Sequence, residues 1–233
     1  MDDQYLQAFV ERLRSAHGEH LVSVTLYGAP RGDVVRQVLV VLDAITPGDL
    51  RAERDAVSEW VEAGHPPPVY FTAAEIAGAG DVFPIEFFDM MENRRVLAGR
   101  DVLAGLEISS RNLRHQVEYE LRGKLMRLRR LYVPASSDPG RLSSLLSGSL
   151  VTFARLFKFA LRLATGGATP DGERDVVKAA VGRFGLDAAP FEQIFAARDG
   201  GAPMREVDAH ACFGAYIEQI ERVIDAVDKL PEA

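Results

Sequence analysis

Cysteine is nearly absent from this chain: Cys212 is the single one in 233 residues. One cysteine excludes an intramolecular disulfide and leaves no thiolate cluster for a metal. It matches the usage of a reducing compartment, so the sequence predicts a cytoplasmic protein. Histidine is sparse as well, and the five (His17, His20, His65, His115 and His210) include no His-x3-His spacing. A zinc site has no foothold in that pattern. A basic excess is also missing. The net charge of -7 argues against a broad nucleic-acid surface, which is normally basic. The most apolar stretch, residues 150–164, is interrupted by Arg155, Lys158 and Arg162. Their spacing of three and four places them on one helical face, so the stretch reads as an amphipathic helix and no membrane partner is expected. The opening MDDQYLQAF is acidic, without a basic region followed by an apolar core, and predicts no signal peptide. No Gly-x-Ser-x-Gly occurs, which removes the hydrolase elbow.

What remains is an ordinary globular composition, 47% hydrophobic and 26% charged. Leu6, Phe9, Val10 and Leu13 have helical spacing and predict an opening helix. Strands follow at residues 21–27 and about 36–43. Pro47 and Asp49 then start a helix to about residue 63, with Val57, Trp60 and Val61 facing inward. A third strand is expected at 69–71, and Thr72 with Glu75 has capping-box spacing. FPIEFFDM, residues 83–90, reads as a fourth strand. Beyond residue 109 only helices are expected: 109–133 ended by Pro134, 139–164 opened by Asp138-Pro139, Thr169-Pro170 to 184, 190–198, and 205–230. Small residues Ser143, Ser144, Ser147, Gly148 and Ser149 would permit close helix approach.

The chain is organised around LVSVTLYGAPRGDVVRQVLVVLD, residues 21–43. An apolar strand runs into a glycine-punctuated turn and out into a second apolar strand, which is a way of presenting backbone N–H groups to a phosphate. LYGAPRGD followed by VLVVL resembles the signature of the nucleotidyltransferase superfamily related to DNA polymerase beta, more specifically its minimal and antibiotic-modifying (kanamycin-type) bacterial members. In that pattern a strand leads to Gly-Ser, a second Gly follows, and two aspartates one residue apart open the next strand. Those aspartates hold Mg²⁺ against the nucleotide phosphates. Here Gly28 and Gly32 fall on the two glycines and Ala29 replaces the serine. The resemblance implies Gly28, Ala29, Arg31 and Gly32 as nucleotide-binding residues. The paired aspartates, however, fall on Val35 and Gln37, and neither ligates Mg²⁺ as a carboxylate does.

A third acidic residue of the pattern is matched best by Glu86, with Asp89 second. RRVLAGRDVL, residues 94–103, resembles the segment that closes the domain in relatives, where Leu-Tyr-Gly-x-Asp is common; Ala98 stands in for the tyrosine. The resemblance covers roughly residues 20–105. It implies an α+β fold, with a nucleotidyltransferase-like mixed sheet and helices over residues 1–105 and a helical bundle over 106–233. The implied function is that of a catalytically degenerate homologue that binds a nucleotide or a partner protein in an interdomain cleft. An active member would instead draw on Asp33, Glu86 and Asp89 with Mg²⁺ and a nucleoside triphosphate, and would transfer a nucleoside monophosphate to a small-molecule or protein hydroxyl.

Two further patterns fall outside that signature. Residues 111–130 carry Arg111, Arg114, His115, Arg122, Lys124, Arg127, Arg129 and Arg130. They read as a wall facing a triphosphate or, more economically, as a solvated face paired with Glu118, Glu120 and the acidic first domain. Arg205 and His210 have the Arg-x4-His spacing of the helical RNase-type domains called HEPN, although Glu206 departs from the neighbour usual there.

Overall fold

The computed structural model describes residues 3–28, 37–92, 94–200 and 204–230. It divides into two compact units, residues 1–109 and 110–233. The fold is α+β, a four-stranded mixed sheet with helices followed by a wholly helical unit.

In the first unit α1 (Asp3–His17) and a 3-10 turn lead into β1 (Leu21–Tyr27) and β2 (Gln37–Leu42). After α2 (Pro47–Ala52) and α3 (Arg54–Glu62) come β3 (Val69–Thr72), α4 (Ala73–Ala79), α5 (Pro84–Met91) and β4 (Arg95–Gly99). The strand order is β3-β2-β1-β4. β1 pairs antiparallel with both β2 and β4, whereas β2 and β3 run parallel. Because side chains alternate along a strand, β2 divides its apolar residues between two layers. Val38, Val40 and Leu42 pack with Leu6, Phe9, Leu13 and Trp60, on the face covered by α1 and α3. Leu39 and Val41 pack with Tyr27, Ile76, Phe87 and Met90, on the face covered by α4 and α5. A sheet covered on both faces explains why β2 reads as an unbroken apolar run.

Both expected helix starts are present. Thr46 and Thr72 each accept a hydrogen bond from the amide three residues on (Asp49 N, 3.3 Å; Glu75 N, 3.1 Å), and each acidic side chain accepts one from the threonine amide. These reciprocal bonds satisfy amides that the first helical turn leaves unpaired.

The structure corrects several expectations. FPIEFFDM is the helix α5, not a strand: Pro84 occupies a first-turn position, where its missing N–H costs nothing, and Pro84, Ile85, Phe87 and Met90 are buried along one side. The fourth strand is β4, in the RRVLAGRD segment. The helix expected to 63 breaks into α2 and α3 at Glu53, and Val61 is 42% exposed instead of facing inward. Glu53 turns inward at the break.

The second unit comprises α6 (Ser110–Ala135), α7 (Pro139–Thr165), α8 (Glu173–Phe184), α9 (Ala189–Gly200) and α10 (Glu206–Asp228). Pro134 lies inside the last turn of α6 and does not end it. Thr169-Pro170 does not open α8, which starts after Gly172; the adjacent Asp171 accepts from Lys158 Nζ at 2.9 Å. α7 has the length and apolar composition of a membrane span, but it is the core helix of the bundle. Its Leu146, Leu150, Phe153 and Phe157 are buried, and it packs against α6, α8, α9 and α10. Tyr216 of α10 meets Phe153 and Phe191 edge-on at 6.0 and 5.7 Å.

Two features of the first unit yield predictions. Trp60 is wholly buried, stacked on Phe9 at 4.5 Å and lying against His65 at 4.3 Å, with Nε1 donating to the Pro66 carbonyl. Trp60→Ala is expected to cost about 3–5 kcal/mol, read as a shift of the urea midpoint by circular dichroism. Glu53 is 2% exposed, with His17 Nε2 at 3.4 Å. Burial raises its pKa, and His17 and Tyr70 offset this only in part. A raised folded-state value means that stability is fullest below the ordinary glutamate pKa and declines as pH rises through the folded value. Glu53→Gln is expected to flatten that decline, measured as ΔG of unfolding against pH.

Candidate functional site

β1 leads directly into the glycine turn. It delivers Gly28, whose φ of +92° is a conformation that costs glycine little and other residues much. Among the described residues no atom lies within 4 Å of the place a Cβ would take there, so the positive φ is what calls for glycine at this exit. Ala29, Arg31, Gly32, Asp33 and Val35 lie outside the described residues. The far side of the turn is Gln37, the first residue of β2, which is exposed and stands opposite Tyr27 in the ladder. By alternation Gln37 shares the sheet face of Leu39 and Val41, the one covered by α4 and α5.

That face carries little polar chemistry. On β1 it holds Ser23 and Thr25, both wholly buried, with their hydroxyl oxygens 3.3 Å apart. None of the four strands (LVSVTLY, QVLVVL, VYFT and RVLAG) contains an aspartate or glutamate. Glu86 and Asp89 are on α5 instead, one turn apart; Glu86 is exposed and Asp89 half-buried. Among the described residues no three His, Cys, Asp or Glu side chains gather closely enough to hold a metal. Mg²⁺ requires several hard oxygen ligands in near-octahedral order, and the described residues of this face do not bring such a set together.

The closing segment is more strongly built. Arg94 Nε donates to both Asp101 oxygens at 3.2 and 3.0 Å, and a second guanidinium nitrogen donates to the Met91 carbonyl. Asp101 also accepts from the Leu103 amide at 3.1 Å. Partial burial pushes the Asp101 pKa up, but the Arg94 and Leu103 hydrogen bonds, with the Arg94 charge, outweigh it and hold the carboxyl below its usual range. This clasp brackets β4. Within it Gly99 has φ of +72°, and a Cβ there would lie 2.0 Å from the Val22 carbonyl oxygen of β1. Ala98, in the tyrosine position of the resembling motif, is buried against Val24 and the α1 layer. The Gly and Asp of this motif are Gly99 and Asp101. Their role is to dock β4 onto β1.

The other candidate groups are spent locally. Arg122 pairs with Glu118 at 2.8 Å and Lys124 with Glu120 at 3.2 Å, both on α6. Arg129 pairs with Glu221 of α10, and Arg114 donates to the Asp228 carbonyl. Three of the eight basic groups are therefore paired with carboxylates within their own unit. Arg205 stands at the N-cap position of α10 without a side-chain capping bond and binds Asp208 at 2.6 Å, while His210 Nδ1 lies 2.9 Å from the Tyr132 hydroxyl. The Arg-x4-His pair thus engages two different neighbours.

No family model and no curated protein matches the sequence. Solved structures do match. One is a spectinomycin adenyltransferase from Enterococcus faecialis, crystallised with ATP and spectinomycin, at 11% identity and a TM-score of 0.57. The alignment covers 98% of this chain and 100% of that one. The chain therefore has a nucleotidyltransferase-like fold, similar to that of an antibiotic adenyltransferase along nearly its whole length.

Gly99→Ala is expected to lower stability by about 3 kcal/mol or more, since a side chain would meet backbone at a positive φ. Thermal unfolding followed by circular dichroism measures it. Because the Asp101 pKa is depressed, the clasp contributes stability above the unfolded carboxyl value and loses it as pH falls through the folded one. Asp101→Asn is expected to remove that acid-side loss from a ΔG-versus-pH curve.

Proposed function

We propose that this chain is a catalytically degenerate nucleotidyltransferase homologue that binds a nucleotide at the Gly28–Gly32 turn without transferring its nucleotidyl group. The observation that carries the reading is Gln37 at the head of β2, in the position matched to the second of the paired aspartates. The carboxylate-free strands support it. Transfer of a phosphoryl-linked group demands neutralisation of charge developing on the phosphate oxygens. A neutral amide at that position supplies no anchor for the cation that would do this. Binding needs less: backbone amides at a glycine turn contact phosphate without a metal. The ATP and spectinomycin bound by the similar adenyltransferase make ATP the first nucleotide to try.

Calorimetry with ATP in Mg²⁺ and in EDTA, paired with an assay for labelled AMP transfer to spectinomycin, tests the reading. The expected outcome is ATP binding of similar strength in both buffers, weakened in Gly28→Val, with no transfer above a blank. Transfer that disappears in Asp33→Ala or Glu86→Ala would instead establish an active enzyme with displaced ligands.

A further inference from the structure

Only residues 136–138 join α6 to α7, so the two helices run antiparallel as a hairpin. A trough of about 360 Å³ lies between them, at the small end of ligand-pocket volumes. Counting outward from the link places Leu131 near Leu145, Arg127 near Gly148 and Lys124 near Thr152, and all of these line the trough. Buried Leu128 and Phe153 form its floor. The trough therefore has two ends of different character. The end next to the link is apolar, and the far end carries the cations and a hydroxyl.

Gly148 keeps the trough open. It lies well inside α7 without a positive φ, where glycine costs a helix about 1 kcal/mol relative to alanine. Among the described residues no atom lies within 4 Å of the place its Cβ would take. Neither backbone geometry nor crowding calls for glycine here, and what the missing side chain provides is depth. Arg127 supplies the charge. Lys124 is held by Glu120 at 3.2 Å, and Arg122 and Arg129 have carboxylates of their own. The Arg127 guanidinium and the Thr152 hydroxyl make no hydrogen bond or ion pair among the described residues, so both remain available to a ligand.

We propose that the α6–α7 trough binds a small amphipathic organic anion, its carboxylate or sulfonate head at Arg127 and Thr152 and its apolar body along Leu128, Leu131 and Leu145 toward the link. The two parts of the ligand need each other. An anion without an apolar body would meet an exposed arginine in water and gain little. An apolar body without the head would leave the guanidinium and the hydroxyl unused, and the burial of a short trough alone is modest. Together they match the usual plan of such sites, an apolar lining with a few polar groups that fix orientation.

Fluorescence titration of the whole chain with anilinonaphthalene sulfonate, an aromatic anion of this class, tests the proposal. Saturable binding at a single site is expected. Gly148→Leu fills the trough and Arg127→Glu reverses its charge, and each is expected to weaken binding about tenfold or more. Arg127→Lys keeps the charge and is expected to retain most of the affinity. Thermal unfolding by circular dichroism should show Gly148→Leu folded and at least as stable as wild type, since leucine is the better helix former. Decanoate is expected to displace the dye, and decanol, of the same chain length without the charge, is not. Absence of saturable binding, binding that survives both Gly148→Leu and Arg127→Glu, or equal displacement by decanol would each overturn the proposal.

Discussion

The sheet of the first unit depends on one close approach, that of Gly99 to the Val22 carbonyl. β1 is the inner strand bonded to β2 on one side and β4 on the other. Its β4 edge closes only because Gly99 brings no side chain and takes a positive φ. The Arg94–Asp101 clasp then fixes the chain on either side of the strand. A bidentate guanidinium–carboxylate pair suits this task, since it restricts both distance and orientation. With β4 docked, Ala98 fills its place against Val24 and the α1 layer forms over the sheet.

The same sheet accounts for the chemistry it supports. Strands covered on both faces favour apolar residues, and carboxylates at their ends are costly unless a cation or donors compensate them. Strands free of carboxylates avoid that cost, and the neutral Gln37 heads β2. The buried Ser23 and Thr25 hydroxyls keep a trace of polarity on the face of Tyr27, where they turn to each other. The four strands thus hold no anions.

The helical unit follows a different rule. Its basic residues look, in one dimension, like a wall awaiting an anion. Folding places Glu118, Glu120 and Glu221 beside three of them, Arg122, Lys124 and Arg129. Such exposed pairs contribute little to stability singly.

Local chemistry determined much of this from the sequence alone. The span of β1, nearly that of β2, the Thr46 and Thr72 helix starts and the switch to helices after residue 109 all follow from periodicity and capping, which act over a few residues. A glycine at the exit of β1, Gly28, was legible for the same reason. Tertiary structure decided the rest. FPIEFFDM has an apolar content that suits strand or helix, and packing of Phe87 and Met90 against the sheet selected the helix. Glu53 and His17, thirty-six residues apart, became a buried pair only when α1 met the α2–α3 break. The role of Gly99 was equally hidden, because a carbonyl on a strand distant in sequence creates the need for it. Contacts between remote segments leave no period in the chain, so only the folded arrangement can reveal them.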